Sequence, residues 1–253
     1  MTQLPRGARA IMGQRHEPPD SLDFFPTPPW GTRALFERVL TSPSQVASAW
    51  DPFAGHGHMA RVMEEYCPNV HGSDLFDYVG RYQVLDFLDE FQPAPNRQWI
   101  IGNPPYGDNI IPMLLRALYL QRELSRSLAG YAYVAMLMPT IKIAGQTRYA
   151  EIYERFPLRT YAPFAERLPM VKGNYNPDAS TATDYAWYIW AFRQGWATGE
   201  RQLKIIEPCR SVLEKADDPL NFNASCRVPE PDELRKQSAK RLQAKREETL
   251  CLF

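Results

Sequence analysis

Eight residues in the middle of the chain, Tyr131 to Met138, are all apolar or aromatic and stand between Gly130 and Pro139. A short run without alternation suits a strand buried on both faces, as in a parallel sheet covered by helices. The stretch before it, Ile110 to Leu128, repeats apolar residues at i, i+4 and i+7 among strong helix formers, which predicts a helix. The same alternation extends in both directions. Towards the N-terminus the sequence predicts a helix from Trp30 to Leu40, with Thr27 as N-cap and Pro28 at the first helical position. A short strand ends at Trp50, a helix runs from His58 to Tyr66, and a strand from Val70 to Ser73 ends at Asp74. A third strand ends near Leu85, and a fourth is Trp99-Ile100-Ile101. Towards the C-terminus follow a helix from Gln146 to Phe156, a strand from Leu158 to Phe164, an aromatic strand from Tyr185 to Phe192, a last strand near Lys204 to Ile206 and a charged helix from Asp232 to Glu248. Strand and helix in turn predict an α/β fold with a mostly parallel sheet and helices on both faces.

The 253 residues, 44% of them apolar, are enough to bury one sizeable core. Lys+Arg and Asp+Glu both number 29, so the chain has no net charge. That balance counts against a nucleic-acid ligand without excluding it, since a local basic face can sit on a neutral protein. Cys67, Cys209, Cys226 and Cys251 show no paired spacing, which argues against a zinc site or a disulfide framework and for reduced thiols in a cytoplasm. No stretch has the length and apolarity of a membrane span. Residues 1–23 read as a polar, proline-rich arm, 24–210 as one catalytic domain, and 211–253 as a tail with the charged helix.

Three motifs lie at expected strand ends. Asp51-Pro52-Phe53-Ala54-Gly55-His56-Gly57 joins the first strand to a helix, where glycines accept positive φ and let a ligand come close. It lacks the Gly-Lys-Ser/Thr of a phosphate loop, and a tight strand-to-helix turn alone would use the same residues. His56 and His58 beside it have no third partner at helix or strand spacing, so they read as turn residues rather than metal ligands. Asp74 ends the second strand, where a carboxylate can accept from a ribose diol. Asp86-Phe87 ends the third, pairing an acceptor for an adenine amino group with a ring to cover the base. The third motif is Asn103-Pro104-Pro105-Tyr106 after the fourth strand. The prolines hold Asn103 extended, so that its carboxamide oxygen and the Pro104 carbonyl converge on one amino group, with Tyr106 as a stacking face.

In this order the motifs resemble those of the class I S-adenosylmethionine-dependent amino-methyltransferases, the group that includes bacterial and phage DNA adenine-N6 methyltransferases. Asp51 to Gly57 is similar to the family's cofactor loop, and Asn103 to Tyr106 to its (Asp/Asn/Ser)-Pro-Pro-(Tyr/Phe/Trp) catalytic loop. Phe25-Pro26-Thr27-Pro28 resembles the N-terminal element beside the cofactor's methionine end, in the gamma order of motifs. The resemblance implies a Rossmann-like sheet of seven strands with one reversed, a role suited to Tyr185–Phe192. It implies S-adenosylmethionine as cofactor, held by Phe25, Pro26, Thr27, Asp51, Phe53, Ala54, Gly55, Gly57, Asp74, Asp86, Phe87 and Asn103. It also implies catalysis by Asn103, Pro104, Pro105 and Tyr106.

Gamma-type DNA enzymes usually carry a sizeable target-recognition domain after the core, whereas only about sixty residues follow Phe192 here. The loop between Phe164 and Asp184, with Arg167 and Lys172, is the expected substitute for contact with nucleic acid. Small solitary phage and prophage enzymes look most like this chain. DNA is the first expected partner and RNA the second, since some ribosomal RNA methyltransferases share the tetrapeptide. Cytosine-N4 enzymes, release-factor glutamine methyltransferases and a catalytically silent cofactor-binding module are the remaining alternatives.

Overall fold

The computed structural model describes residues 24–222, apart from 41, 43, 44, 93, 108, 109 and 174, together with residue 236. The expected arm over residues 1–23 and the charged helix over 232–248 therefore lie outside the described residues, Lys236 apart.

The strands are β1 (Ala49–Asp51), β2 (Val70–Asp74), β3 (Gln83–Val84), β4 (Trp99–Gly102), β5 (Ala132–Pro139), β6 (Thr160–Pro163), β7 (Tyr185–Arg193), β8 (Trp196–Ala197) and β9 (Gln202–Leu203). They form one sheet in the order β3-β2-β1-β4-β5-β7-β6-β9, with β8 paired to β7. From β3 to β5 every pairing is parallel. β7 runs against both β5 and β6. The aromatic run is thus the reversed strand, as expected. Besides the seven strands that the resemblance implies, the sheet has β8 and, close to the last strand expected near Lys204 to Ile206, β9. β8 returns from β7 over a two-residue turn in which Gln194 and Gly195 both have positive φ (53° and 82°), the backbone that a tight hairpin demands. β9 extends the edge parallel to β6.

The buried strand residues divide with period two between the two faces. Ala135 and Leu137 of β5, and Tyr185, Trp187 and Ile189 of β7, join one core. Val134, Met136 and Met138, with Ala186, Tyr188, Trp190 and Phe192, join the other. Because both sets are apolar, both faces need a cover. The first is covered by α1 (Pro29–Ala34), which continues as a π-helical turn over Leu35–Val39, and by α2 (His58–Met63). The second is covered by α3 (Ile110–Ser127), through Ile110, Leu114, Ala117 and Leu118. The helix expected over 146–156 is a short α4 (Gln146–Arg148) followed by a π-helical turn, Tyr149–Tyr153. Among the described residues no helix is long and apolar enough to cross a membrane.

The packed core continues past residue 210, into the stretch read from sequence as a tail. α5 (Arg210–Leu213) and α6 (Asp218–Phe222) lie against α1 and α2, with Leu213, Asp218 and Phe222 buried. Their anchor is Arg33 of α1, whose side chain is 3% exposed. It donates to both oxygens of Asp218 at 2.6 and 2.7 Å, to both oxygens of Glu65 at 3.0 and 2.9 Å, and to the Leu213 carbonyl at 2.8 Å. A buried guanidinium in this position needs its anions, because an uncompensated charge in the interior is costly. Asp218→Ala should lower unfolding free energy by about 3–5 kcal/mol, the usual cost of removing one partner of a buried pair. Urea titration of the two proteins checks this. A loss below about 1 kcal/mol, the value of a surface pair, would reduce the cluster to a surface contact.

Candidate active site

The carboxyl ends of the parallel strands share one edge of the sheet, where a ligand crevice forms in folds of this kind. Here that edge holds a cleft of about 120 Å³, partly open to solvent. β1 and β2 each end on an aspartate, and a third aspartate stands two residues past β3; each folds its own chain back. Asp51 Oδ1 accepts from the Phe53 amide at 3.1 Å, Asp74 Oδ1 from Phe76 at 3.3 Å, and Asp86 Oδ1 from Leu88 at 3.0 Å. A carboxylate bonded two residues ahead turns the backbone sharply at the strand end. Asp74 Oδ2 also accepts the Gly55 amide at 2.8 Å, which ties the first loop to the second.

Most of the residues expected to hold a cofactor line this cleft. Phe25, Pro26 and Thr27 form one side, Phe53 and Ala54 the first loop, and Asp74, Asp86, Phe87 and Asn103 the following strand ends. Phe87 meets Trp50 and Phe53 edge-on at 5.3 and 5.2 Å between ring centres, making an aromatic wall. Asp51, Gly55 and Gly57 stand behind the lining. Gly55 and Gly57 have φ of 51° and 84°, as a tight loop requires. The space where their side chains would be is filled by protein, however, and not by cleft. A Cβ would lie 2.4 Å from the Phe24 ring at Gly55 and 2.0 Å from the Tyr82 hydroxyl at Gly57. These glycines therefore admit aromatic neighbours that brace the loop.

Asn103 follows β4 and faces the N-terminal segment. Its Nδ2 donates to the Phe25 carbonyl at 3.0 Å and to Thr27 Oγ1 at 3.1 Å, with Met170 Sδ at 3.7 Å. This corrects the expected role of Thr27. The helix begins at Pro29, Pro28 is its N-cap, and no side chain caps it. The Thr27 hydroxyl is spent on Asn103. Tyr106, expected as a stacking face, is tied to the same residue. Its hydroxyl donates to Asn103 Oδ1, shared with the Leu137 carbonyl at 3.2 Å. Two acceptors draw the phenol inward, and the half-buried ring packs near Tyr185. Pro105 lines the cleft, while Pro104 is buried.

The loop after Phe164 is laid against the site. Leu168 packs on Gly31, Met170 reaches Asn103, and the Gly173 amide donates to the Phe24 carbonyl at 3.0 Å. Arg167 braces this loop internally, donating to the Thr181 carbonyl at 3.2 Å and lying 4.0 Å from Asp184. Lys172 is exposed. Sequence reasoning left Phe24, Pro52, His58, Met59, Leu75, Tyr78, Leu85 and Met113 out of the expected site, and all of them line the cleft. Pro52 lies inside the first motif, and Phe24, His58, Leu75 and Leu85 are immediate neighbours of residues singled out there, whereas Met59, Tyr78 and Met113 carried no such signal.

No protein-family model matches the chain, and no curated protein matches it. Among solved structures it is similar to a Listeria monocytogenes protein described as a class I S-adenosylmethionine-dependent methyltransferase. That likeness has 12% identity, covers 83% of this chain and 72% of the other, and has a TM-score of 0.50. Looser likenesses are to TrmN from Thermus thermophilus (17% identity, 65% and 48% of the two chains, TM-score 0.39) and to N-methyltransferase NodS from Bradyrhizobium japonicum, in complex with S-adenosylhomocysteine (10% identity, 57% and 76%, TM-score 0.36).

Asp51 has an electrostatic consequence of its own. Burial pushes its carboxyl up to about 8, against the pull of the Phe53 amide and with help from the Asp74 charge. Its Oδ2 is buried without a partner among the described residues. The folded protein thus holds a proton that the unfolded chain, at an ordinary 3.8, releases. Stability from this group is full below the unfolded value and is lost as pH rises towards the folded one. Asp51→Asn should keep that stability and exceed wild type by a few kcal/mol near pH 8, with little difference near pH 4. Urea titrations at both ends of this window check it, and an equal gain at both would contradict it. Taken together, the strand order, the helix layers and the likeness to the Listeria protein assign this chain the Rossmann-like fold of the class I methyltransferases.

Proposed function

We propose that this chain is an S-adenosylmethionine-dependent methyltransferase acting on an exocyclic amino group, with adenine N6 in DNA as the target. The observation that carries the reading is Asn103, held at the end of β4 on the wall of the cleft by Phe25 and Thr27.

The cleft suits the cofactor by its donor set and shape. Asp74 lines the cleft at the end of β2, where a carboxylate can accept from a ribose diol. Asp86 stands one strand further on, as an acceptor for an adenine amino group, beside the Phe53–Phe87 wall that covers a flat ring. When bound, S-adenosylmethionine supplies an electrophilic methyl group on a sulfonium.

The work left to the chain is to hold a poor nucleophile in line with that methyl at about 3–3.5 Å. Asn103 Oδ1 accepts from the target amine and so favours the positive charge that develops on nitrogen. The fixed Nδ2 contacts decide which way the carboxamide oxygen points. No side chain would need to act as a base here, because the proton of the methylated amine could leave to water. The carboxamide oxygen has two lone pairs, so it can accept from the Tyr106 hydroxyl and from the target amine together, and the Tyr106 ring beside it is the proposed stacking face for the flipped base. Lys172, on the loop that touches Asn103 through Met170, is the proposed phosphate contact.

Single-turnover kinetics on one DNA substrate tests this mechanism. Asn103→Ala should slow methyl transfer by roughly two to three orders of magnitude, the usual loss for one preorganised acceptor. Cofactor affinity, titrated in parallel, should change little. Tyr106→Phe keeps the ring and leaves the carboxamide oxygen to the amine alone, so it should transfer methyl no more slowly than wild type. Near-normal turnover by Asn103→Ala would take the tetrapeptide out of catalysis.

A further inference from the structure

The cleft takes up the carboxyl edge of the sheet, and the opposite edge carries a second concentration of chemistry. β5 runs from one to the other, so they stand about 25 Å apart, the length of its eight residues. At the far edge Trp99, Tyr133 and Tyr131 form a file of rings. Trp99 stacks on Tyr133 at 4.0 Å and 10°, and Tyr133 on Tyr131 at 5.9 Å and 30°. The Arg159 guanidinium lies 5.9 and 6.0 Å from the two tyrosine ring centres, and that of Arg193 lies 5.4 Å from Tyr131.

Two short strands add to this file. Arg193 pairs with Trp196 across the β7–β8 hairpin, and Trp196 is 77% exposed. Arg201 stands just before β9, where the Gln202 amide donates to the Arg159 carbonyl at 2.7 Å. The fold thus gathers three arginines and an open indole at one edge. Arg159, Arg193 and Arg201 form no ion pair among the described residues. Glu123 is already shared by Arg122 and Arg126, the latter lying against Gly195 of the hairpin, and Glu200 is exposed beside Arg201. The edge therefore keeps an excess of positive charge, although the chain as a whole has none.

Stacking uses the face of a guanidinium and leaves its N–H edge for hydrogen bonds, and that edge matches a phosphate bidentately. An open indole offers a face on which any base can stack. An acidic protein would satisfy the arginines alone, whereas a polymer with both phosphates and bases engages the indole as well. We infer that the amino edge of the sheet is a second nucleic-acid site. It takes a strand with unpaired bases, its phosphates on Arg159, Arg193 and Arg201 and a base on Trp196. The site lies outside the cleft and needs neither cofactor nor methyl transfer, so it goes beyond the proposed function. For a polymer already held in the cleft, it raises the local concentration of the rest of that polymer.

The test is fluorescence anisotropy of the full-length protein with a labelled oligothymidylate of about 16 nucleotides, enough to cover one site. This probe contains no adenine and so no target amine. Wild type should bind it, with affinity falling as salt rises. Arg193→Gln combined with Arg201→Gln, both at exposed positions, should bind roughly tenfold more weakly. The salt slope should fall by about 1.4, the value for two single-strand phosphate contacts. Trp196→Ala should also bind roughly tenfold more weakly, but with the slope unchanged, since stacking releases no counterion. Polyglutamate, which has charge without rings, should compete poorly.

No binding by wild type, wild-type affinity in either variant, or displacement by polyglutamate as efficient as by unlabelled oligothymidylate overturns the assignment. Each of these leaves the reading of the cleft standing, because that reading is tested by methyl transfer and by Asn103.

Discussion

A parallel sheet delivers all its carboxyl ends to one edge, and the backbone there must turn at once. In this chain the turning is done by aspartates. Asp51, Asp74 and Asp86 each bond the amide two residues ahead, at or just past the ends of three neighbouring strands. The same device thus builds the rim of the cleft three times over. What differs is the surroundings of each carboxyl. Asp51 is sealed in and driven neutral, whereas Asp74 and Asp86 reach the cleft. The reversed strand β7 makes this edge affordable. Its eight residue pairs with β5 and its wholly buried aromatic face let the middle of the sheet carry the stability, leaving the strand ends to be polar.

The legible parts of the fold are those set by local chemistry. The apolar run 131–138 and the aromatic run 185–192 could only be buried strands, and both stand side by side in the sheet. Asp-Pro, Asp-Phe and Asn-Pro-Pro punctuation marked where strands end, so most of the expected lining residues do line the cleft. Distant partners were harder to read. Nothing near Gly57 announces that Tyr82 will fill its side-chain space, and nothing near Asn103 announces Met170. A ring in a rigid loop suggests an open face, as expected of Tyr106. The two carbonyl-type acceptors that turn it inward come from Asn103, three residues away, and from Leu137 on the next strand. The stretch after residue 210 looked like tail because it is polar and short in apolar residues. Its attachment comes from distant residues, among them Arg33, 185 positions from Asp218, and His58 and Arg61 on α2.

These contacts give the site a division of labour. The strand-end carboxylates face one part of the cleft, the N-terminal segment orients Asn103 at another, and the C-terminal helices reach the first loop through His58. Methyl transfer to an amine asks for little more than such positioning, since the reactive group is brought by the cofactor and the proton leaves to water. A carboxamide oxygen, neutral and fixed, suits the task of steering an amine without competing for its proton.

The central claim is that the amine presented to Asn103 is adenine N6 of DNA. It is tested most directly by incubating the protein with methyl-labelled S-adenosylmethionine and separate pools of unmethylated DNA, RNA and ribosomal protein, then digesting each pool and identifying the labelled product. The account predicts label in N6-methyldeoxyadenosine from the DNA pool, and loss of that label in Asn103→Ala. Label confined to another nucleoside or to a protein side chain would contradict the assigned target, and no transfer to any pool by a protein that binds the cofactor would contradict the assigned chemistry.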